Sequence, residues 1–133
     1  MTVNSSVTRF HSATCSLTIA SRSWLGVAGR VHYSASKGAV ISFTRSLAIE
    51  LGEHGITANC VSPTLVITPL FESTPKADQD GVIKRTRAQP IPRLGTVEDM
   101  AYAVLFFADE NAGFITGQHI YVGGGADLMT ATP

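Results

Sequence analysis

A chain of 133 residues, 44% of them hydrophobic, has the length and composition of one globular domain. Ten basic side chains balance ten acidic ones, so no overall charge recruits nucleic acid or an anionic membrane surface. The longest strongly apolar stretch, Ala101 to Ala108, is far shorter than the ~20 residues needed to cross a bilayer. The charge is unevenly spread: residues 1–49 carry five Lys or Arg and no acid, and the remainder carries five basic and ten acidic residues.

Residues 1–14, "MTVNSSVTRFHSAT", lack any period and read as an irregular lead-in. They have no apolar secretion core, although their Ser and Thr content without acids faintly resembles a transit peptide. "CSLTIAS" is a short β-branched run that reads as a buried strand, and "RSWLGVAGRVH" as a glycine-punctuated loop. A long helix is expected from about Tyr33 to Glu53, stopped by Gly52 and Gly55. "ITANCVS" reads as a second strand halted by Pro63, followed by a long loop over 64–77 and a helix over about 78–89. "PIPRLG" is a turn. Thr96 caps the next helix, with Glu98 and Asp99 complementing its dipole, and that helix runs to about Asp109. "HIYV" is a last short strand before Gly123-Gly124-Gly125.

This alternation is the grammar of a parallel α/β sheet, which places ligands outside the carboxyl ends of its strands. Ser21, the start of the long helix and the Pro63–Thr68 segment therefore converge on one rim. Two cysteines, Cys15 and Cys60, sit in apolar runs and read as buried free thiols in a reducing, cytoplasmic compartment. His11, His32, His54 and His119 lack metal-ligand spacing, so no metal site is expected.

Tyr33 and Lys37 are i, i+4 neighbours on one helix face. A phenol with an ordinary pKa of ~10 is a poor base near neutrality, and a nearby ammonium favours its phenolate. The pair could then move a proton to or from a substrate oxygen, with Ser21 hydrogen-bonding the same oxygen. The plain alternative is an exposed lysine stem lying over a ring. Small residues Ser34, Ala35, Ser36, Gly38 and Ala39 keep the first turns open to a ligand. Farther along, Val40, Phe43, Leu47 and Leu51 form one apolar stripe and Ile41, Ala48 and Ile49 another. A helix apolar on two sides is expected to be buried on two sides, one against the sheet and one against a partner subunit.

"YSASKGAV" with the following "FTRSLAIELGEHGITANCVSP" resembles the short-chain dehydrogenase/reductase family, whose signature is Tyr-x-x-x-Lys. "LTIASRSWLGVAGRVHY" resembles its strand and catalytic-serine loop, and "SPTLVITPL" its Pro-Gly-x-x-x-Thr segment. "IPRLGTVEDMAYAVLFFADENAGFITGQHIYVGGG" is similar to its closing helix and last strand. The resemblance covers about residues 15–126. It implies a Rossmann-like, doubly wound parallel sheet of which only the C-terminal strands and helices are present, so residues 15–133 form the catalytic half of such a domain. It further implies an oxidoreductase that interconverts a carbonyl and an alcohol by hydride transfer with NAD or NADP, in a homo-oligomer acting on a small molecule. Tyr33 would be the proton donor or acceptor, and Lys37 would hydrogen-bond the nicotinamide ribose. Ser21 would orient the substrate oxygen, with Ser23 the weaker candidate by spacing. Pro63 would shape the turn, the Val66 backbone would meet the nicotinamide carboxamide, and the Thr68 hydroxyl would contact the cofactor. Thr64 stands where glycine is usual and Gly123 where many relatives carry aspartate.

The family's dinucleotide-binding glycine turn, its ribose-reading side chain and its Asn-Asn-Ala-Gly segment have no counterpart before Tyr33. Two readings follow. One is an active oxidoreductase; the other is a truncated, non-catalytic fragment that keeps the family's oligomer-forming surfaces. A half-domain also leaves a free strand edge and an uncovered face.

Overall fold

Three strands and four α-helices, with three 3-10 turns between them, make up residues 14–128, which the computed structural model describes. The lead-in expected over 1–14 therefore lies, apart from Thr14, outside the described residues. The strands are β1 (Cys15–Ile19), β2 (Thr57–Pro63) and β3 (His119–Val122). All pair in parallel in the order β1-β2-β3, with Cys15 opposite Thr57 and Cys60 opposite His119. Parallel pairing follows from the crossovers, since every strand is joined to the next through helix. The α/β parallel sheet expected from the sequence is the fold observed.

β2 is buried at six consecutive positions, Thr57 to Ser62. Successive strand residues point to opposite faces, so an unbroken buried run means that both faces are covered. Helix α1 (Val31–Leu51) packs on β1 and β2, and α4 (Val97–Ala108) packs on all three strands. Ala20, Ile41 and Cys60 form the core under α1, with Val40 against them.

Helix α1 departs from its expected stripes. Its buried residues are Ile41, Thr44 and Ala48, whereas Phe43 and Ile49 face outward at 57% and 83% exposure. Thr44 holds a core position because its hydroxyl is satisfied twice. It donates to the Val40 carbonyl at 2.8 Å and lies 2.6 Å from Thr18 Oγ1. Cys60 is buried as expected; Cys15, on the edge strand, is only half-buried.

Several boundaries also shift. α1 begins two residues before Tyr33, and the loop ahead of it holds a 3-10 turn, Arg22–Leu25. The expected 64–77 loop contains a short helix α2 (Pro69–Glu72), started by the Thr68 cap and Pro69 in its first turn. Helix α3 (Lys76–Thr86) starts and stops earlier than its sequence suggests. At α4 the cap is as expected, and stronger. Thr96 and Asp99 form a reciprocal capping box, and both Asp99 oxygens take the Arg93 guanidinium at 2.6 and 2.8 Å. The arginine and the Thr96 N–H hold the Asp99 carboxyl well below the usual carboxylate range.

Asn59 ties the last connection to the sheet from inside β2. Its Nδ2 donates to the Ile115 carbonyl at 2.8 Å, and its Oδ1 accepts from the Gln118 N–H at 3.0 Å. One fully buried amide thus replaces two backbone partners that the approach to β3 lacks. Asn59→Ala should cost about 2–4 kcal/mol, because both backbone groups lose their partners. Urea unfolding should show a lower midpoint at unchanged m value.

Candidate active site

Three segments meet the carboxyl rim of the sheet. Ser21 leaves β1 through Ala20 and caps the 3-10 turn, its Oγ accepting from the Ser23 N–H at 3.2 Å. The Ser23 Oγ lies 3.4 Å away but is buried, while Ser21 stays half-exposed. Only the Ser21 hydroxyl therefore has access to a ligand from this pair. The turn packs directly on α1.

Tyr33 sits in the first turn of α1 and Lys37 one turn later. Lys37 Nζ lies 5.9 Å from the centroid of the Tyr33 ring, so the two side chains share one face as the i, i+4 spacing predicts. The same ammonium donates to the Ile19 carbonyl at 3.1 Å. That carbonyl is available for a reason. Ile19 is opposite Val61, and Ala20 N bonds the Val61 carbonyl, so the polar groups of Ile19 itself turn away from β2, to the side where no strand pairs among the described residues. Sequence reasoning missed this bond because its acceptor is a backbone atom eighteen positions earlier.

The third segment starts at Pro63, which pairs with Val122 at the end of the ladder. Val66 then forms an isolated parallel bridge with Gly95, built from Gly95 N to the Leu65 carbonyl and Ile67 N to the Gly95 carbonyl. Val66 contributes neither of its own backbone groups to that bridge, and both lack a partner among the described residues. The Thr68 hydroxyl accepts from the Phe71 N–H at 3.2 Å as the cap of α2, and its proton remains to be donated. These groups fit the amide and hydroxyl chemistry of a nicotinamide riboside. The diphosphate end finds no such fit among the described residues. Gly124 and Gly125 have left-handed φ angles of 62° and 80°, but a Cβ at Gly125 would sit 2.7 Å from Pro90 Cγ. Those glycines serve close packing on the 89–91 turn. A cleft of about 210 Å3 lies on this side, between Thr64, Gln89, Arg93, Tyr102 and Gly123, and includes none of Ser21, Tyr33 and Lys37.

A family profile described as enoyl-(acyl carrier protein) reductase, of the short-chain dehydrogenase/reductase type, matches residues 7–127. The chain belongs to the short-chain dehydrogenase/reductase family. It is 50% identical over 111 residues to (2S)-[(R)-hydroxy(phenyl)methyl]succinyl-CoA dehydrogenase subunit BbsD of Thauera aromatica, covering 84% of this chain and 44% of that protein. It is 44% identical over 101 residues to human (3R)-3-hydroxyacyl-CoA dehydrogenase, covering 76% of this chain and 38% of that one. Among solved structures, ligand-free aldohexose dehydrogenase of Thermoplasma acidophilum superposes with a TM-score of 0.81 at 27% identity, over 92% of this chain and 51% of that one. The chain thus spans about half the length of these relatives, or less.

Thr64 and Gly123, both expected to differ from the family's usual residues, are neighbours. A Cβ built on Gly123 would collide with Thr64 Cγ2 and lie 2.5 Å from Tyr121 Cε1. The threonine methyl and the Tyr121 ring fill the space that a side chain at 123 would need. Gly123→Ala should therefore destabilise by about 1–3 kcal/mol through overpacking. Adding Thr64→Gly should recover part of that loss, since it removes one of two clashes; thermal unfolding of the single and double variants reads both.

Proposed function

We propose that this chain carries the proton-transfer and nicotinamide-facing part of an NAD(P)-dependent dehydrogenase or reductase that interconverts a carbonyl and an alcohol. The observation that supports it most directly is Lys37, bonded to the Ile19 carbonyl and lying over Tyr33 at the rim of a parallel sheet. When bound, a nicotinamide ring supplies or accepts the hydride. Tyr33 gives its hydroxyl proton to the substrate oxygen in reduction and receives it in oxidation. Ser21 donates a hydrogen bond to the same oxygen and keeps it in line with the phenol. Lys37 spends one N–H on Ile19 and directs the remainder to the ribose, while its charge stabilises negative charge developing on the phenol oxygen. Pro63 shapes the turn, the Val66 backbone groups take the carboxamide, and Thr68 donates to the cofactor. The two CoA-named relatives extend this to a substrate class: a hydroxyacyl or oxoacyl thioester.

A second reading is a non-catalytic chain that works through its surfaces as an oligomer. It is favoured by exposed apolar residues on two helices: Phe43 and Ile49 on α1, and Leu105 and Phe106 on α4. No helix among the described residues is long and apolar enough to cross a membrane, so these residues do not form a span.

Titration with NADH and NADPH separates the two. Energy transfer from Trp24, the single tryptophan, to bound reduced cofactor is expected for the enzyme; its absence at ~1 mM cofactor, the weak end of the usual range, would leave only the second reading. In a preparation that turns over, Tyr33→Phe should lower kcat by about 10^2–10^4-fold with cofactor affinity nearly unchanged. Substantial residual turnover would assign the proton to another group.

A further inference from the structure

One imidazole outside the reacting set reaches toward both flanking segments of the candidate site. His119 opens β3, and its Nε2 lies 2.7 Å from Ser62 Oγ. The same ring meets Trp24 edge-on, with centroids 5.3 Å apart and planes at 84°. Ser62 immediately precedes Pro63, where the Val66–Thr68 stretch originates. Trp24 lies in the 3-10 turn that Ser21 caps. We propose that His119 is a positioning residue: bonded to Ser62 and packed against Trp24, it holds the Ser21 turn and the Pro63 segment in one fixed relation, which its protonation loosens. The consequence for catalysis rests on the function proposed above; the tie between the two segments does not.

The hydrogen-bond inventory makes the tie sensitive to charge. Ser62 is fully buried, and its hydroxyl bonds, among the described residues, to His119 alone. A neutral imidazole can accept at Nε2 from the serine O–H. An imidazolium donates at both nitrogens, so Ser62 would have to become the acceptor and its own buried O–H would lose its partner. Among the described residues no carboxylate bears on the ring to balance the cation. Cys60 and Ser62 come from β2, Trp24 from the turn, and Arg45 from α1, whose positive charge opposes a second one. Arg22 and Asp127 bear on the neighbouring Tyr121. Burial first, and Arg45 second, hold His119 below the ordinary histidine range. The unfolded chain therefore binds this proton more readily than the folded one. The stability contributed by the neutral ring is fully present above ~6.5 and is lost as the pH falls through the folded value.

Because Trp24 is the single tryptophan, its emission reads this contact directly. Between pH ~8 and ~5, the wild-type emission should change along one sigmoid with a midpoint below ~6.5. His119→Gln should abolish that transition. Ser62→Ala should move it upward, since protonation would no longer orphan a hydroxyl. Near neutrality, hydrogen exchange in His119→Gln should quicken roughly three- to tenfold at amides of the 22–26 turn and the 64–68 segment, with α4 unchanged. A flat wild-type titration overturns the proposal, as does a transition that survives in His119→Gln or exchange that quickens evenly along the chain. Should His119→Gln not fold, His119→Phe keeps the aromatic edge contact and must still remove the transition; failing that, the direction of the Ser62→Ala shift decides. Neither readout needs turnover or cofactor, so an inactive chain leaves this test intact.

Discussion

The bond from Lys37 to the Ile19 carbonyl fixes what the rest of the candidate site can do. An ammonium on a flexible stem would otherwise sample many positions, and ordering it costs side-chain entropy. Here a strand carbonyl, turned outward by the alternation of the parallel ladder, gives it a defined seat at the end of β1. Among the described residues β1 is the outer strand in the order β1-β2-β3, and no strand there competes for that carbonyl. The ladder also brings the carboxyl ends of all three strands to one rim. A strand end, a helix start and a loop after the next strand are thereby juxtaposed although they lie far apart in sequence. The chemistry depends on the sheet in this concrete way.

The polar residues inside the core follow the same logic. β2 reads "TANCVSP", half of it polar, yet six of its seven residues are buried. Asn59 and Ser62 are tolerated because each ties another segment to the strand, Asn59 the approach to β3 and Ser62 the His119 ring. Thr44 does the same between α1 and β1. Tyr121 differs: its hydroxyl is buried without a partner among the described residues, and burial pushes it up to about 12. A phenol in that state stays protonated and inert, unlike the role proposed for Tyr33 at the rim.

Local chemistry was legible in the sequence and three-dimensional choice was not. Thr96 with Asp99, Gly55 after α1, and the run "HIYV" announced a cap, a stop and a strand, because each depends on residues within a few positions. The i, i+4 placement of Tyr33 and Lys37 was legible for the same reason. The buried side of α1 was not, since Phe43 and Ile49 are as apolar as Ile41 and only the sheet selects among them. Periodicity suggested two apolar stripes; within this chain the sheet buries Ile41, Thr44 and Ala48, with a threonine at the centre, and leaves Phe43 and Ile49 exposed. The Thr68-Pro69 pair carried a helix-start signal that the reading of a long loop overlooked. His119 gave no signal at all, because its partners Ser62 and Trp24 come from other elements.

The division of labour within the site follows from where these ties lie. Every bond that orients the proposed reacting groups is internal to the described chain: Lys37 to Ile19, Ser23 to Ser21, Phe71 to Thr68. The space beside Gly123 and Gly125 holds no phosphate cradle; Thr64, Tyr121 and Pro90 fill it. Orientation and affinity are therefore separable here. A dinucleotide owes much of its grip to backbone N–H groups at its diphosphate, while hydride transfer needs only that the nicotinamide and the substrate oxygen be held against the phenol. The groups proposed to perform the chemistry are thus oriented by bonds within the described residues, whatever holds the diphosphate.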